Sequence, residues 1–84
     1  MTLSQTAHSA DWPRDERRLF RALAADPGRV VTKQELLGIL FPDDRAATTR
    51  RVDELADRLR ARIAADTGQR AVANIWGVGY RLAT

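Results

Sequence analysis

The side chains with chemistry to offer are guanidinium groups. They gather in "TRRVDELADRLRARIAA", residues 49–65, where Arg50, Arg51, Arg58 and Arg62 recur at helical spacing. A guanidinium presents a planar fork of N–H donors that fits a phosphate, or the edge of guanine, two bonds at a time. Phosphate contacts supply affinity and register. A bidentate contact to a base edge adds about 1–3 kcal/mol of discrimination. Two carboxylates, Glu54 and Asp57, share the stretch. A carboxylate is repelled by phosphate and helps readout mainly by accepting from cytosine N4. Two readings of this pair are open: unusual base readout, or contact with a protein. Glu54 and Arg58 also have the i,i+4 spacing of an ion pair, an interaction of about 0.3–0.5 kcal/mol.

Other residues could join the same surface. Lys33 opens a helix, where an ammonium and backbone N–H groups can hold a phosphate together. Near the end, "NIWGVGYRL" runs from Asn74 to Leu82. Its Tyr80 can pack its ring on a core while its hydroxyl reaches outward. Gly77 and Gly79 suit positive φ in a tight bend. Trp76 could lie against a sugar–phosphate edge or wedge into a groove. It could equally anchor a protein contact.

Other chemistries are excluded by what is missing. There is no cysteine, and the single histidine, His8, sits in a polar leader with no partner for a catalytic or metal cluster. Asp43 and Asp44 are adjacent, but a cation needs more ligands. No nucleophile–base pair or phosphate-cradling loop is present, so neither catalysis, a metal nor a cofactor is expected. No apolar run approaches the ~20 residues of a membrane span, and the N-terminus has no export signal, which predicts a cytoplasmic protein.

The chain of 84 residues is 44% hydrophobic and 30% charged, a globular composition sized for one small core. Its net charge is +3, and Lys33 is the only lysine. That balance suits a small nucleic-acid footprint without proving one.

The elements that must position these residues follow from periodicity. Residues 1–11 read as a flexible leader and 12–84 as the folded domain. "DWPRDERRLFRALAADPG" predicts a helix with Pro13 in its first turn and an apolar stripe of Leu19, Phe20, Leu23 and Ala24. "RVV" is a short extended piece. Thr32 and Glu35 have capping-box spacing for a second helix, whose apolar face is Leu36, Leu37, Ile39 and Leu40 and which Pro42 stops. Val52, Ala56, Leu59 and Ile63 then mark one face of the longest helix, with "DTGQR" as the turn after it. "AVANIW-GVG-YRLAT" predicts two short strands around a bend. The fold class is mainly α with a small β-hairpin: a winged helix-turn-helix of three helices and a C-terminal wing.

Four segments carry a resemblance. "ERRLFRALAADPGRVVTKQELL", "FPDD", "RRVDELADRLRARI" and "IWGVGYRL" resemble, in order, the first helix and link, the end of the second helix, the recognition helix and the wing of the OmpR/PhoB-type DNA-binding domain. The match runs from about Trp12 to Leu82. It implies sequence-specific binding of double-stranded DNA, with the third helix in the major groove and the wing in the neighbouring minor groove. The candidate DNA contacts are Lys33, Arg50, Arg51, Glu54, Asp57, Arg58, Arg62, Asn74, Trp76 and Tyr80. Family members usually bind direct repeats as dimers, and the loop at residues 42–48 corresponds to one that often contacts RNA polymerase.

The chain departs from the family's pattern at several points. Only about ten polar residues precede Trp12, so the family's opening four-stranded sheet is not expected, nor is a phosphorylatable receiver domain. Glu54, Leu55 and Asp57 stand where the family tends to carry an apolar residue, a histidine and a small polar or basic residue. Trp76 stands where an arginine is common. These departures keep a second function open: an adaptor that binds RNA polymerase or another regulator and has little grip on DNA.

Overall fold

The computed structural model describes residues 11–83. All but Asp11 of the expected leader lies outside the described residues, as does His8. Three helices and three strands follow in the order α1 (Arg14–Ala24), β1 (Val31–Thr32), α2 (Lys33–Leu40), α3 (Thr49–Thr67), β2 (Val72–Ile75) and β3 (Gly79–Leu82).

Each helix forms where its local signals place it. Pro13 caps α1 and its carbonyl accepts from Arg17 N at 3.1 Å, while Asp15 and Glu16 occupy the positive end of the dipole. Leu19 and Leu23 are fully buried, with Phe20 and Ala24 packed on the core's edge. The capping box of α2 is formed: Glu35 N donates to Thr32 Oγ1 at 3.1 Å, and Thr32 Oγ1 donates to Glu35 Oε1 at 3.3 Å. Arg29 also reaches Glu35, at 3.0 Å, and this hydrogen bond leads the effects that hold the Glu35 carboxyl below its ordinary pKa.

Ile39 corrects the expected apolar face of α2. Leu36 and Leu40 are buried, but Ile39 is exposed and contributes its carbonyl, which accepts from Arg18 of α1 at 2.7 Å. The third helix runs two residues further than "DTGQR" suggests, through Asp66 and Thr67. Gly68, at φ 74°, ends it in the left-handed region, with its N–H on Ala64 O at 2.8 Å.

The C-terminal hairpin gains a third strand. β1 pairs antiparallel with β3, Val31 opposite Tyr80 and Thr32 opposite Gly79, so the sheet order is β1-β3-β2. Gly77 has the positive φ expected of the bend, 72°. Gly79 does not, and its glycine has another cause. A Cβ there would lie 1.9 Å from the Val31 carbonyl oxygen, so only glycine lets β1 approach.

One core joins these elements. Val52, Leu55, Ala56, Leu59 and Ile63 of α3 meet Leu19 and Leu23 of α1, Leu36 and Leu40 of α2, and Val31, Val72, Tyr80 and Leu82 of the sheet. Trp12 closes one end. It packs edge-on to Phe20 at 5.5 Å between centroids, and its indole N–H donates to Asp66 Oδ2 at 3.2 Å.

Candidate nucleic-acid interface

The apolar stripe of α3 turns its opposite face outward. Arg50, Arg51, Glu54, Asp57 and Arg58 are all exposed there. Their pairing differs from the expected pattern. Glu54 Oε1 is 3.3 Å from Arg50 Nε, so the i,i+4 ion pair forms with the preceding arginine and not with Arg58. Both groups of that pair are well exposed, so the contact is weak and easily exchanged. Asp57 is held at 3.0 Å by Arg60. Arg58 has no hydrogen-bond or ion-pair partner among the described residues, and it lines a shallow recess with Asp15, Phe41, Arg51, Glu54 and Leu55.

Two arginines that the sequence groups with these are tied to other elements. Arg51 spans back to the α2–α3 connector, 2.7 Å from Asp44 Oδ2 and stacked over the Phe41 ring at 4.2 Å. Asp44 also accepts from Ala46 N at 3.0 Å, so the connector is an organised turn. Arg62 turns its guanidinium toward α1, where its Nε lies 2.5 Å from Oε1 of the buried Glu16. Unlike Arg50 and Arg58, it therefore has one guanidinium N–H committed to a carboxylate within the fold, with its side chain still partly exposed.

The wing is set against α3 by a cluster around Asp53. Tyr80 Oη donates to Asp53 Oδ1 at 2.5 Å, and Lys33 Nζ lies 3.0 Å from the same oxygen. Lys33 and Tyr80, chosen from sequence as separate phosphate ligands, therefore converge on one carboxylate. Partial burial pushes the Asp53 carboxyl up, but the Tyr80 hydrogen bond and the Lys33 ammonium outweigh it and hold the pKa below its ordinary value. Tyr80 is pushed far above its ordinary range by burial and by the Asp53 carboxylate, so its hydroxyl stays protonated and donates. Arg60 adds a second tie, Nε to the Val72 carbonyl at 3.1 Å. At the far end Asn74 is exposed on β2, and Trp76 is 90% exposed on the turn.

Asp53 gives a pH-dependent prediction. A carboxylate with a lowered folded pKa contributes stability that is in place above the ordinary carboxylate pKa and is lost as pH falls through the lowered value. Asp53→Asn should cost about 1 kcal/mol at neutral pH, since solvent screens part of the pair. That gap should close as pH falls below the ordinary carboxylate range and through the lowered value, where the wild type loses the same contribution. Thermal melts of both proteins across this range check it. A gap that is constant with pH would contradict the assignment.

Asp53, Glu16 and Arg60 are residues that sequence reasoning missed. Glu16 left a signal: it stands at i−3 from Leu19 and i−7 from Leu23, on the buried face of α1, where a carboxylate needs a cation. Asp53 left less, because the half-buried flank of a stripe carries no mark of what lies across from it.

The geometry is a cation-bearing helix face beside a rigid hairpin. Among the described residues no group of three or more His, Cys, Asp or Glu side chains is placed to hold a metal ion, and no helix is long and apolar enough to cross a membrane. Comparison with known proteins fits this architecture. Residues 8–82 match the family described as "Transcriptional regulatory protein, C terminal". The transcriptional regulatory protein BaeR of Escherichia coli O6:H1 is 36% identical over 67 residues, 79% of this chain and 28% of BaeR. AfsQ1 of Streptomyces coelicolor, also a transcriptional regulatory protein, is 30% identical over 83 residues, 98% of this chain and 37% of AfsQ1. The chain thus spans roughly a third of the length of these relatives. Among solved structures, the DNA-binding domain of the response regulator AdeR, in complex with an intercistronic region, superposes with a TM-score of 0.75. It is 27% identical, over 87% of this chain and 72% of that one. The response regulator DrrB of Thermotoga maritima, an OmpR/PhoB homolog, gives a TM-score of 0.74 at 34% identity, over 87% of this chain and 33% of that one.

Proposed function

Because this chain belongs to the family of transcriptional regulatory protein C-terminal domains, the OmpR/PhoB type, we propose that it regulates transcription by binding duplex DNA. The third helix lies in the major groove and the β2–β3 wing reaches the adjacent minor groove. The observation that carries this reading is the outward face of α3. Arg58 is left without a partner among the described residues, and Arg50 is held only by an exposed pair, so both guanidinium groups are available to phosphates and base edges. Glu54 and Asp57 line the same face and suit acceptance from cytosine N4. Lys33 lies where the wing meets α3 with its side chain partly open to a phosphate, while Tyr80, buried and donating to Asp53, holds the wing in place beside it. Arg51, Arg62 and Asn74 belong to the edges of this footprint.

The connector at residues 42–48, organised by Asp44, is exposed for a protein partner, and RNA polymerase is the partner that the family resemblance suggests. Two copies on a direct repeat would be the binding unit, and the protein would act in the cytoplasm without enzymatic activity.

Salt tests the reading against the adaptor alternative. Each neutralised phosphate lowers log K by about 0.9 per decade of salt, so a footprint of some three phosphates gives a slope near −3. Titration of labelled duplex by fluorescence anisotropy from low to moderate salt measures it. Absence of duplex binding at low salt, together with capture of RNA polymerase, would favour the adaptor.

A further inference from the structure

Trp76 is 90% exposed, and the fold has no use for an indole at that place. Val78, two residues on, is exposed as well, so the wing ends in an apolar tip. A tryptophan carries one of the largest apolar areas of any side chain, and a contiguous exposed apolar surface marks a contact. The tip is also rigid. Gly77 sets the turn at φ 72°, Val78 N donates to Ile75 O at 2.9 Å, and Val78 O accepts from Lys33 N at 3.1 Å. The indole is thus presented by backbone fixed to the start of α2.

Charge and position decide what it meets. After Asp66 the sequence has no carboxylate; Arg70 and Arg81 are its only charged side chains. Within the hairpin, residues 72–82, Arg81 is the one charged side chain, so no carboxylate of the hairpin repels a polyanion at the tip. That hairpin is continuous with α3 through the Tyr80–Asp53 and Arg60–Val72 bonds. From Tyr80 the turn lies about 10 Å further along the strand, at roughly 3.4 Å per residue. The minor groove next to an α3-filled major groove is about half a helical turn away, roughly 17 Å.

We propose that Trp76, backed by Val78, enters the minor groove of the bound duplex as an apolar wedge against a base step. The proposal rests on the DNA-binding reading above and states how the wing acts within it. A cation in this position is drawn to a narrow, strongly negative groove. A wedge selects steps that unstack and kink easily, such as TA, so the wing reads deformability and not hydrogen-bonding pattern.

The test uses the whole chain and short mixed-sequence duplexes at low salt, one TA-containing and one G·C-rich. Anisotropy of labelled duplex reports binding, and tryptophan emission with unlabelled duplex reports contact at the tip. Trp12 is buried and supplies a constant background. Emission should fall in step with binding, the TA duplex should bind more tightly, and Trp76→Ala should weaken binding about tenfold, the scale of one aromatic–base contact. With Trp76→Phe, binding should persist while the emission loss disappears. Binding with unchanged emission would overturn the wedge and leave the DNA-binding reading standing. Trp76→Arg binding more tightly with the TA preference intact would also overturn it. Absence of any binding would overturn both.

Discussion

Gly79→Ala should destabilise the protein by about 3 kcal/mol, an effect at the upper end for a single methyl group. The reason is positional. The added carbon would lie 1.9 Å from the Val31 carbonyl oxygen and 2.8 Å from both Val31 C and Thr32 Cα. These are backbone atoms, so no side-chain rotation relieves the clash. β1 must separate from β3, and Tyr80, paired with Val31, loses the frame that points its hydroxyl at Asp53. For a domain of this size such a loss lowers the melting temperature on the order of 15 °C. Gly77→Ala is the control. It has the positive φ of 72° but open space around it, so only backbone strain is added, about 1 kcal/mol. Melting temperatures of both variants check the contrast. Equal losses would show that Gly79 is a turn residue like its neighbour.

Arg62→Ala should cost about 3 kcal/mol, because it strands the Glu16 carboxylate inside the fold. Glu16 is 4% exposed and its charge is met by Arg62 at 2.5 Å, across the α1–α3 contact. Removing the guanidinium leaves an uncompensated buried charge, whereas replacing both partners with apolar groups leaves none. The double variant Glu16→Met with Arg62→Met should therefore recover most of the loss. Denaturant melts of Glu16→Met, Arg62→Met and the double variant measure the coupling. A double variant that is less stable than either single one would contradict the account. Arg62→Ala should also change duplex affinity less than Arg58→Ala, when both are compared well below their melting ranges.

How much of this was legible in the sequence depends on the range of the interaction. Features within one helix were readable: the Leu19–Leu23 stripe, the Thr32–Glu35 box, the stop at Pro42 and the Val52–Ile63 face all depend on neighbours a few residues apart. The third strand was not. Val31 and Thr32 form too short a strand to show a period, and their partners lie almost fifty residues away. Gly79 shows the same limit. Its type was noticed and its reason misassigned to the turn, because close approach by a distant strand leaves no local mark. On α3 the outward face was correctly drawn, but the duties of its charges were not. Glu54 stands four residues from both Arg50 and Arg58, and spacing alone cannot choose between them. Arg62 looked like a surface cation until α1 supplied Glu16. Lys33 and Tyr80 looked like separate ligands until Asp53 joined them.

The central claim is that the outward face of α3 grips DNA and that Arg58 is its principal free cation. Chromatin capture of the tagged protein across its own genome, followed by binding of Arg58→Ala and wild type to a recovered site, tests it most directly. The account predicts discrete enriched sites and a loss of about 1–3 kcal/mol, roughly 5- to 150-fold, for a variant that melts like the wild type. The claim is contradicted by the absence of enriched DNA, or by enrichment and affinity that survive Arg58→Ala unchanged.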